Sequence, residues 1–318
     1  MRDFVIVGWW WAGYTAWIYA IRYGIDSLLI ASDHWGMIAN NPEVENYPGF
    51  IESIEGGEIM DRMMKQSDRL GLETKNDRVK EIVPIDKDNL EKWYKIKLES
   101  NDDIKAKSLL LAIWTHKRKL WVPGEKEFRW KWVSYCATCD GFFYKDQDVA
   151  VIWGWDSAFV EALHLSDIAN KVYLIHRRDY FKAEPSRIDK VKSKDNIEII
   201  KSSVVEKINW DQAVNSIQIS KAKDHWEYPK ATEFETKSIK ISGVFIAIGT
   251  IPNRIKWLDD ILDRDRKWYI KVKENQATSL PWVYAAWDVT DNSHYYRQLI
   301  TACSEWAIAA RWAYDYLV

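Results

Sequence analysis

The apolar residues of this chain fall into short runs separated by small or charged ones. Phe4-Val5-Ile6-Val7 is β-branched and uninterrupted, which predicts a buried strand. Gly8 follows, and the stretch from Ala12 and Gly13 to Ala20 reads as a helix ended by Gly24. Leu28-Leu29-Ile30 supplies the next strand at once. The order returns at Val149-Ala150-Val151-Ile152, with the turn Trp153-Gly154-Trp155, a helical stretch from Asp156 through Leu165, and the strand Val172-Tyr173-Leu174-Ile175. The same 23 residues separate Gly8 from Ala31 and Trp153 from His176. Two βαβ openings of the dinucleotide-binding kind are the simplest account, although strand, turn and helix in that order occur in any α/β protein.

Between these openings, Trp93 to Leu98 and Ser216 to Ile219 alternate apolar with polar residues, as half-buried antiparallel strands do. Charged turns such as Asp86-Lys87-Asp88-Asn89 separate them. The expected fold is α/β, with two Rossmann-like dinucleotide-binding domains and small antiparallel β inserts.

Composition narrows the function. A chain of 318 residues has room for two ordinary domains, and 47% hydrophobic with 29% charged residues exclude a disordered chain. Lys and Arg number 45 against 47 Asp and Glu, a net charge of -2, so no strongly basic face points to nucleic acid. No run approaches the length of a membrane span, the first residues lack the pattern of a signal peptide, and three cysteines are too few for a secreted disulfide scaffold. The expectation is a soluble cytoplasmic protein with no nucleic-acid or membrane partner. One figure stands apart: the chain has 20 Trp and 13 Gly, where average usage would give about 22 glycines.

Cys136-Ala137-Thr138-Cys139-Asp140 carries the most chemical information. A Cys-x-x-Cys pair suits a small, exchangeable disulfide. Half of a zinc site is the alternative, but only Cys303 remains and no close Cys/His pair accompanies it. Asp140 stands where a carboxyl can exchange a proton with a departing thiolate, and it also suits a plain turn or cap. His176-Arg177-Arg178-Asp179 ends the second strand of the second opening, where a Rossmann-type site reads the ribose. Two arginines there, with Lys182 beyond them, suit a 2′-phosphate and favour NADPH over NADH; a solvated basic loop has the same composition. Cys303 falls in an Ala/Ile-rich helical stretch and reads as a buried small residue. Tyr295-Tyr296 suits packing beside a bound ring or plain surface equally.

Over essentially its whole length the sequence resembles the low-molecular-weight thioredoxin reductases. The resemblance rests on the Gly8 to Gly13 loop, Glu43-Val44-Glu45-Asn46-Tyr47-Pro48-Gly49, the CATCDG segment Cys136 to Gly141, Asp156-Ser157-Ala158, the HRRDYFKA stretch from His176, Ile248-Gly249 with Pro252-Asn253, Asp288-Val289, and Arg297-Gln298. It implies an FAD-binding domain made of 1–115 and 245–318, and an NADPH-binding domain, 116–244, that carries the cysteine pair. FAD would be held at Gly8, Ala12, Gly13, Asn46, Asp288, Val289, Arg297 and Gln298. NADPH would be held at Gly154, Ser157, Ala158, His176, Arg177, Arg178 and Lys182. Hydride would pass from NADPH to FAD, and the reduced flavin would open a Cys136–Cys139 disulfide. Cys139 would lie nearer the flavin, Cys136 would exchange with a thioredoxin-like protein, and Asp140 would supply the proton. A homodimer is implied, as is rotation of the NADPH domain about crossings near Thr115 and Val244.

The tryptophans depart from this pattern. Trp9-Trp10-Trp11 fills the first loop, Trp153 and Trp155 flank Gly154 in the second, and Trp35, Trp114, Trp121, Trp132, Trp282, Trp287 and Trp306 stand at further family glycines. Loop glycines exist so that the chain can turn tightly and approach the pyrophosphate, and an indole would occupy that volume. Ordinary core packing does not explain residues clustered at turns. Two readings remain: a remodelled, cofactor-free scaffold of the same fold, or a written sequence that differs from the molecule at most of these positions, through deliberate substitution or misassignment. The reading preferred is the second. Trp210 and Trp226 lie outside these motifs. A flavoprotein reductase of a peroxide-reducing system is the alternative enzyme, and a ferredoxin-linked reductase of similar fold would lack the cysteine pair.

Overall fold

The computed structural model describes residues 1–8, 10–32, 39, 41, 44–86, 89, 93–113, 115–128, 132–221, 236–256, 258–292 and 298–318, with the backbone alone for 10–12 and 259. Trp9, Trp35, Glu43, Lys87, Asp88, Trp114, Trp226, Tyr295, Tyr296 and Arg297 lie outside the described residues, as do the side chains of Trp10, Trp11 and Ala12. The chain divides into two compact units, Met1–His116 with Ile251–Val318, and Lys117–Thr250.

The first unit is built around β1 (Arg2–Gly8). It pairs in parallel with β2 (Ser27–Ala31) on one side and β6 (Asp103–Ala112) on the other. Beyond β2 lies β3 (Thr74–Asn76). The long β6 pairs antiparallel with β5 (Tyr94–Leu98) through its first half and parallel with β17 (Val283–Ala285) through its second. β4 (Val79–Pro84) closes the sheet against β5. Side chains alternate across a strand, so Phe4 and Ile6 enter one apolar cluster while Val5 and Val7 enter another. The first cluster includes Tyr14 and Trp17 of α1 (Trp10–Arg22), Ile59 of α2 (Gly56–Arg69) and Ala309 of α7 (Leu299–Leu317). The second includes Leu258 of α6 (Leu258–Ile261). With both faces covered, the strand has no polar side to show, which is why the run is continuous in the sequence. Burying each such side chain stabilises by about 1.5–3 kcal/mol.

The second unit repeats the plan. β9 (Asp148–Ile152) lies between β10 (Lys171–Ile175) and β15 (Gly243–Ile246), with β11 (Ile197–Ile200) and β8 (Val133–Ser134) outside them, all parallel. α4 (Asp156–Ser166) follows β9, α5 (Pro185–Lys192) follows β10, and the short α3 (Ala137–Asp140) follows β8. A separate antiparallel sheet joins β12 (Ser203–Trp210), β13 (Val214–Lys221) and β14 (Lys237–Lys240). The chain leaves the first unit within β7 (Thr115–Lys117) and returns within β16 (Thr250–Pro252). The expected boundary at 244/245 would cut β15, whose full length is bonded to β9; the second unit therefore runs on to Thr250.

Both β1 and β9 have neighbours reached by opposite connections, which makes the ends of these strands the topological switch points where α/β sheets bind ligands. At the first of them Gly8 has φ +134, and a Cβ there would sit 2.0 Å from the Ala112 carbonyl oxygen. A Cβ on Gly13 would sit 2.4 Å from Leu29 Cδ1, so its absence lets α1 lie close on β2. Gly8→Ala is expected to lower the unfolding free energy by at least ~2 kcal/mol, through backbone strain and overpacking together. Urea unfolding monitored by circular dichroism measures this, and a loss below ~0.5 kcal/mol would show that the strand end relaxes freely.

Candidate active site

The cysteine pair sits where β8 hands over to α3. Ser134 ends the strand, Tyr135 is buried, and Cys136 caps the short helix in an extended conformation. Cys136 and Cys139 form a disulfide with Cα atoms 5.4 Å apart. The Cys139 backbone N–H donates to Cys136 Sγ at 3.2 Å. Ser134 Oγ donates to Asp140 Oδ2 at 2.7 Å and accepts from the Cys136 N–H at 3.0 Å. One hydroxyl thus ties the carboxylate to the cysteine turn. Cys139 is exposed and Cys136 half-buried, while Phe142 and Phe143 are 76% and 72% exposed immediately after the pair. Burial and the nearby Asp140 carboxylate push the Tyr144 phenol up to about 12.

At the switch point of the second unit, Gly154 packs against the buried His176 ring, which a Cβ at Gly154 would meet at 2.6 Å. Burial pushes His176 down to about 4, and Arg177 and Arg178 add to the shift, so the ring is neutral at physiological pH. Ser157 Oγ donates to the Ala247 carbonyl at 3.4 Å, Ala158 is fully buried, and Asp156 accepts the Glu184 N–H at 2.8 Å. Lys182 donates its backbone N–H to the Gly154 carbonyl at 3.1 Å. Arg177, Arg178 and Lys182 therefore gather beside the turn. Two of these cations meet indoles there: Arg177 lies 4.6 Å from the centre of the Trp153 ring and Lys182 5.8 Å from that of Trp155. Arg178 donates to the Tyr180 hydroxyl at 3.0 Å.

The corresponding residues of the first unit lie around α7. Asn46 Nδ2 donates to Gln298 Oε1 at 2.9 Å, and Gln298 caps α7 in a capping box with Thr301. Asp288 and Val289 are buried in the 3-10 turn Trp287–Val289. Gly8 and Gly13 provide the close approach that a dinucleotide turn needs. On its described residues this unit fits a flavin dinucleotide. The second unit fits a phosphorylated nicotinamide dinucleotide at its cationic rim and not at its turn, where Trp153 and Trp155 stand in the place of the pyrophosphate approach.

Several features were not read from the sequence. Ser134 has no motif of its own; only its alternation on a two-residue strand brings it to Asp140. Glu161 on α4 is half-buried with one carboxylate oxygen enclosed, and burial pushes its carboxyl up to about 7 against the pull of Lys117. Cys303 is half-buried rather than a plain core residue: Thr15 and Tyr47 hydroxyls approach its sulfur at 3.6 and 3.8 Å, and burial raises its thiol above the usual range. Trp17 and Trp306 are fully buried in the first apolar cluster, so at these two positions ordinary core packing does describe the indole. Trp210 ends β12 at a bulge and packs on Phe128 with ring centres 5.0 Å apart. Among the described residues there is no cluster of metal-ligating side chains and no helix long and apolar enough to cross a membrane.

Residues 2–307 match the family described as pyridine nucleotide-disulphide oxidoreductase. The thioredoxin reductase of Mycolicibacterium smegmatis is 36% identical over 318 residues, covering 98% of this chain and 96% of that protein. A bifunctional thioredoxin reductase/thioredoxin of Mycobacterium leprae is 35% identical over 98% of this chain, which spans 64% of that longer protein. Among solved structures, the thioredoxin reductase of Lactococcus lactis superposes with a TM-score of 0.89 at 32% identity, covering 100% of this chain and 99% of that one.

The neutral His176 has a measurable consequence. Its folded value lies below the ordinary ~6.5 of the unfolded chain, so between those two values the unfolded state takes up a proton that the folded state refuses. His176 accordingly withdraws stability as pH falls through that window, by about 3 kcal/mol in all. In a nitrogen-15 NMR titration the ring is expected to stay neutral down to pH 5 and to protonate near 4; protonation above pH 6 would contradict the packing described for Gly154.

Proposed function

We propose that this chain, which belongs to the pyridine nucleotide-disulphide oxidoreductase family, is a thioredoxin-disulfide reductase that uses FAD and NADPH. The observation that carries the reading is the Cys136–Cys139 disulfide held on a helix cap, with an anchored carboxylate beside it. Full-length relatives that carry this name favour it over both a cofactor-free scaffold and the reductase of a peroxide-reducing system.

The two cofactors supply hydride and two-electron chemistry, and the chain supplies the disulfide that receives the electrons. Reduction of Cys136–Cys139 takes two electrons and two protons and leaves two thiols. Cys136 is the exchanging residue: the Cys139 N–H directed at its sulfur stabilises the thiolate and so raises the nucleophilic fraction. That thiolate attacks a disulfide sulfur of the partner, one partner thiol leaves, and Cys139 then attacks Cys136 to release the second. Asp140, oriented by Ser134, gives or takes the proton at the cysteine sulfur. Phe142 and Phe143 offer exposed rings beside the pair, which suits the apolar rim of a small redox protein better than a small-molecule disulfide. Asn46, Asp288, Val289, Arg297 and Gln298, with Gly8, Ala12 and Gly13, are the residues assigned to FAD. Gly154, Ser157, Ala158, His176, Arg177, Arg178 and Lys182 are assigned to NADPH, the cations reading its 2′-phosphate. A homodimer accords with the exposed Tyr19, Ile300 and Trp312 on α1 and α7, and a cytoplasmic setting accords with a dithiol that must be kept reduced.

Cys139→Ser is expected to trap a mixed disulfide between Cys136 and thioredoxin, visible as one added mass on a non-reducing gel, with turnover lost. Full turnover, or trapping through Cys303, would overturn the relay. Arg177→Ala with Arg178→Ala is expected to raise the KM for NADPH by roughly 10–100-fold, from the loss of charge-assisted hydrogen bonds, and to leave that for NADH nearly unchanged. Steady-state kinetics with the two donors tests this, and equal losses would remove the 2′-phosphate assignment.

A further inference from the structure

Among the described residues, nine other than glycine have φ in the left-handed range, and five of them are tryptophan: Trp121, Trp153, Trp268, Trp282 and Trp287. The rest are Asn101, Asp146, Ser202 and Gln276, largely the small polar types that tolerate this conformation. A bulky aromatic residue has no such tolerance, and tryptophan is 20 of 318 residues, so five of nine is not a sampling of composition.

Main-chain hydrogen bonds, not the indoles, set these conformations. The Trp121 N–H donates to Glu125 Oε2 at 2.5 Å, and the same carboxylate takes the Leu120 N–H. Trp153 donates to the Ile175 carbonyl at 2.9 Å, continuing the β9–β10 ladder. Trp268 donates to Asp265 O and accepts from Arg264 within a tight turn. The Trp282 carbonyl accepts the Leu109 N–H, and the Trp287 N–H donates to Glu305 at 2.6 Å. The indoles do find ring contacts: Trp282 stacks on Tyr316 with centres 3.5 Å apart, Trp153 meets His176 and Arg177, and Trp287 meets Trp306 edge to face, but none of these contacts requires φ > 0. Trp121 and Trp268 are 78% and 55% exposed, and the buried Trp282 Nε1 has no hydrogen-bond partner. Trp153, with Trp155, also fills the turn that should admit the pyrophosphate of NADPH. The backbone at all five positions is that of glycine.

We infer that the protein made in its own cell carries glycine at Trp121, Trp153, Trp268, Trp282 and Trp287, because one codon written here as tryptophan is translated there as glycine. The codon UGA fits this role: it differs by one base from UGG, the tryptophan codon, and by one base from GGA, a glycine codon. A shared codon explains why the affected positions are scattered over both units yet all have a positive φ, which neither drift nor selection for a remodelled site would produce. It also takes one of the two indoles, that of Trp153, out of the second switch point while Arg177, Arg178 and Lys182 keep their places. Trp268, unlike the other four, is flagged by its backbone alone.

The test is tandem mass spectrometry of tryptic peptides from the protein purified from its native cell. Asp146–Lys171 reads position 153, and Glu274–Arg297 reads 282 and 287. Glycine at these positions is the expected result, and tryptophan there overturns the inference. No turnover is involved, so failure here leaves the disulfide-reductase reading to its own assays. A second measurement compares the recombinant chain as written with the variant W121G/W153G/W268G/W282G/W287G. Relief of five left-handed strains is expected to raise the melting temperature by about 10 °C, or to give a folded protein where the written chain does not fold. An equal or lower melting temperature would count against it.

Discussion

Everything in this protein depends on turning the backbone sharply at the ends of two central parallel strands without a Cβ in the way. At β1 the constraint is explicit: Gly8 lies against the Ala112 carbonyl with no space for even a methyl group. At β9 the left-handed turn falls on Trp153, with φ 123, and the next residue, Gly154, leaves room for the buried His176 ring that a Cβ would meet at 2.6 Å. A neutral, buried imidazole therefore has a structural cause, since a charged ring could not be packed against a bare backbone without solvent. Each turn then presents a helix start to whatever lies beyond the strand end, which is the general condition for binding a phosphate bridge.

The redox chemistry rests on a second, smaller constraint. A two-residue strand and a four-residue helix hold Ser134, Cys136, Cys139 and Asp140 within hydrogen-bond reach of one another. Because the Ser134 hydroxyl serves both the Cys136 amide and the Asp140 carboxylate, the acid and the disulfide move as one piece. The exposed Phe142 and Phe143 follow directly in sequence, so the exposed rings and the disulfide belong to one short segment. That arrangement suits a reductase whose substrate is another protein's disulfide.

Much of this was legible in the sequence, for reasons that can be named. The runs Phe4 to Val7 and Val149 to Ile152 are covered on both faces, so hydrophobicity alone marks them as strands. Arg177 and Arg178 were legible because β10 ends at Ile175, which places them just past the strand end, where α/β sheets bind ligands. The boundary at 244/245 was misplaced because β15 is a strand of the second sheet with no punctuation after it until Gly249. Ser134 was invisible because its role comes from register, not residue type. Trp17 and Trp306 pack as core residues, whereas Trp121 and Trp268 do not, and no periodicity separates the two kinds; exposure and φ do. Trp268 went unnoticed in the sequence for that reason.

The most direct measurement of the central claim is thiol labelling under anaerobic conditions. The purified flavoprotein is mixed with NADPH, alkylated, digested and sequenced, with an otherwise identical sample lacking NADPH. The account predicts that Cys136 and Cys139 both take the label only when NADPH is present, and that both are protected again after oxidised thioredoxin is added. A flavin reduced by NADPH while Cys136 and Cys139 stay unlabelled would contradict it.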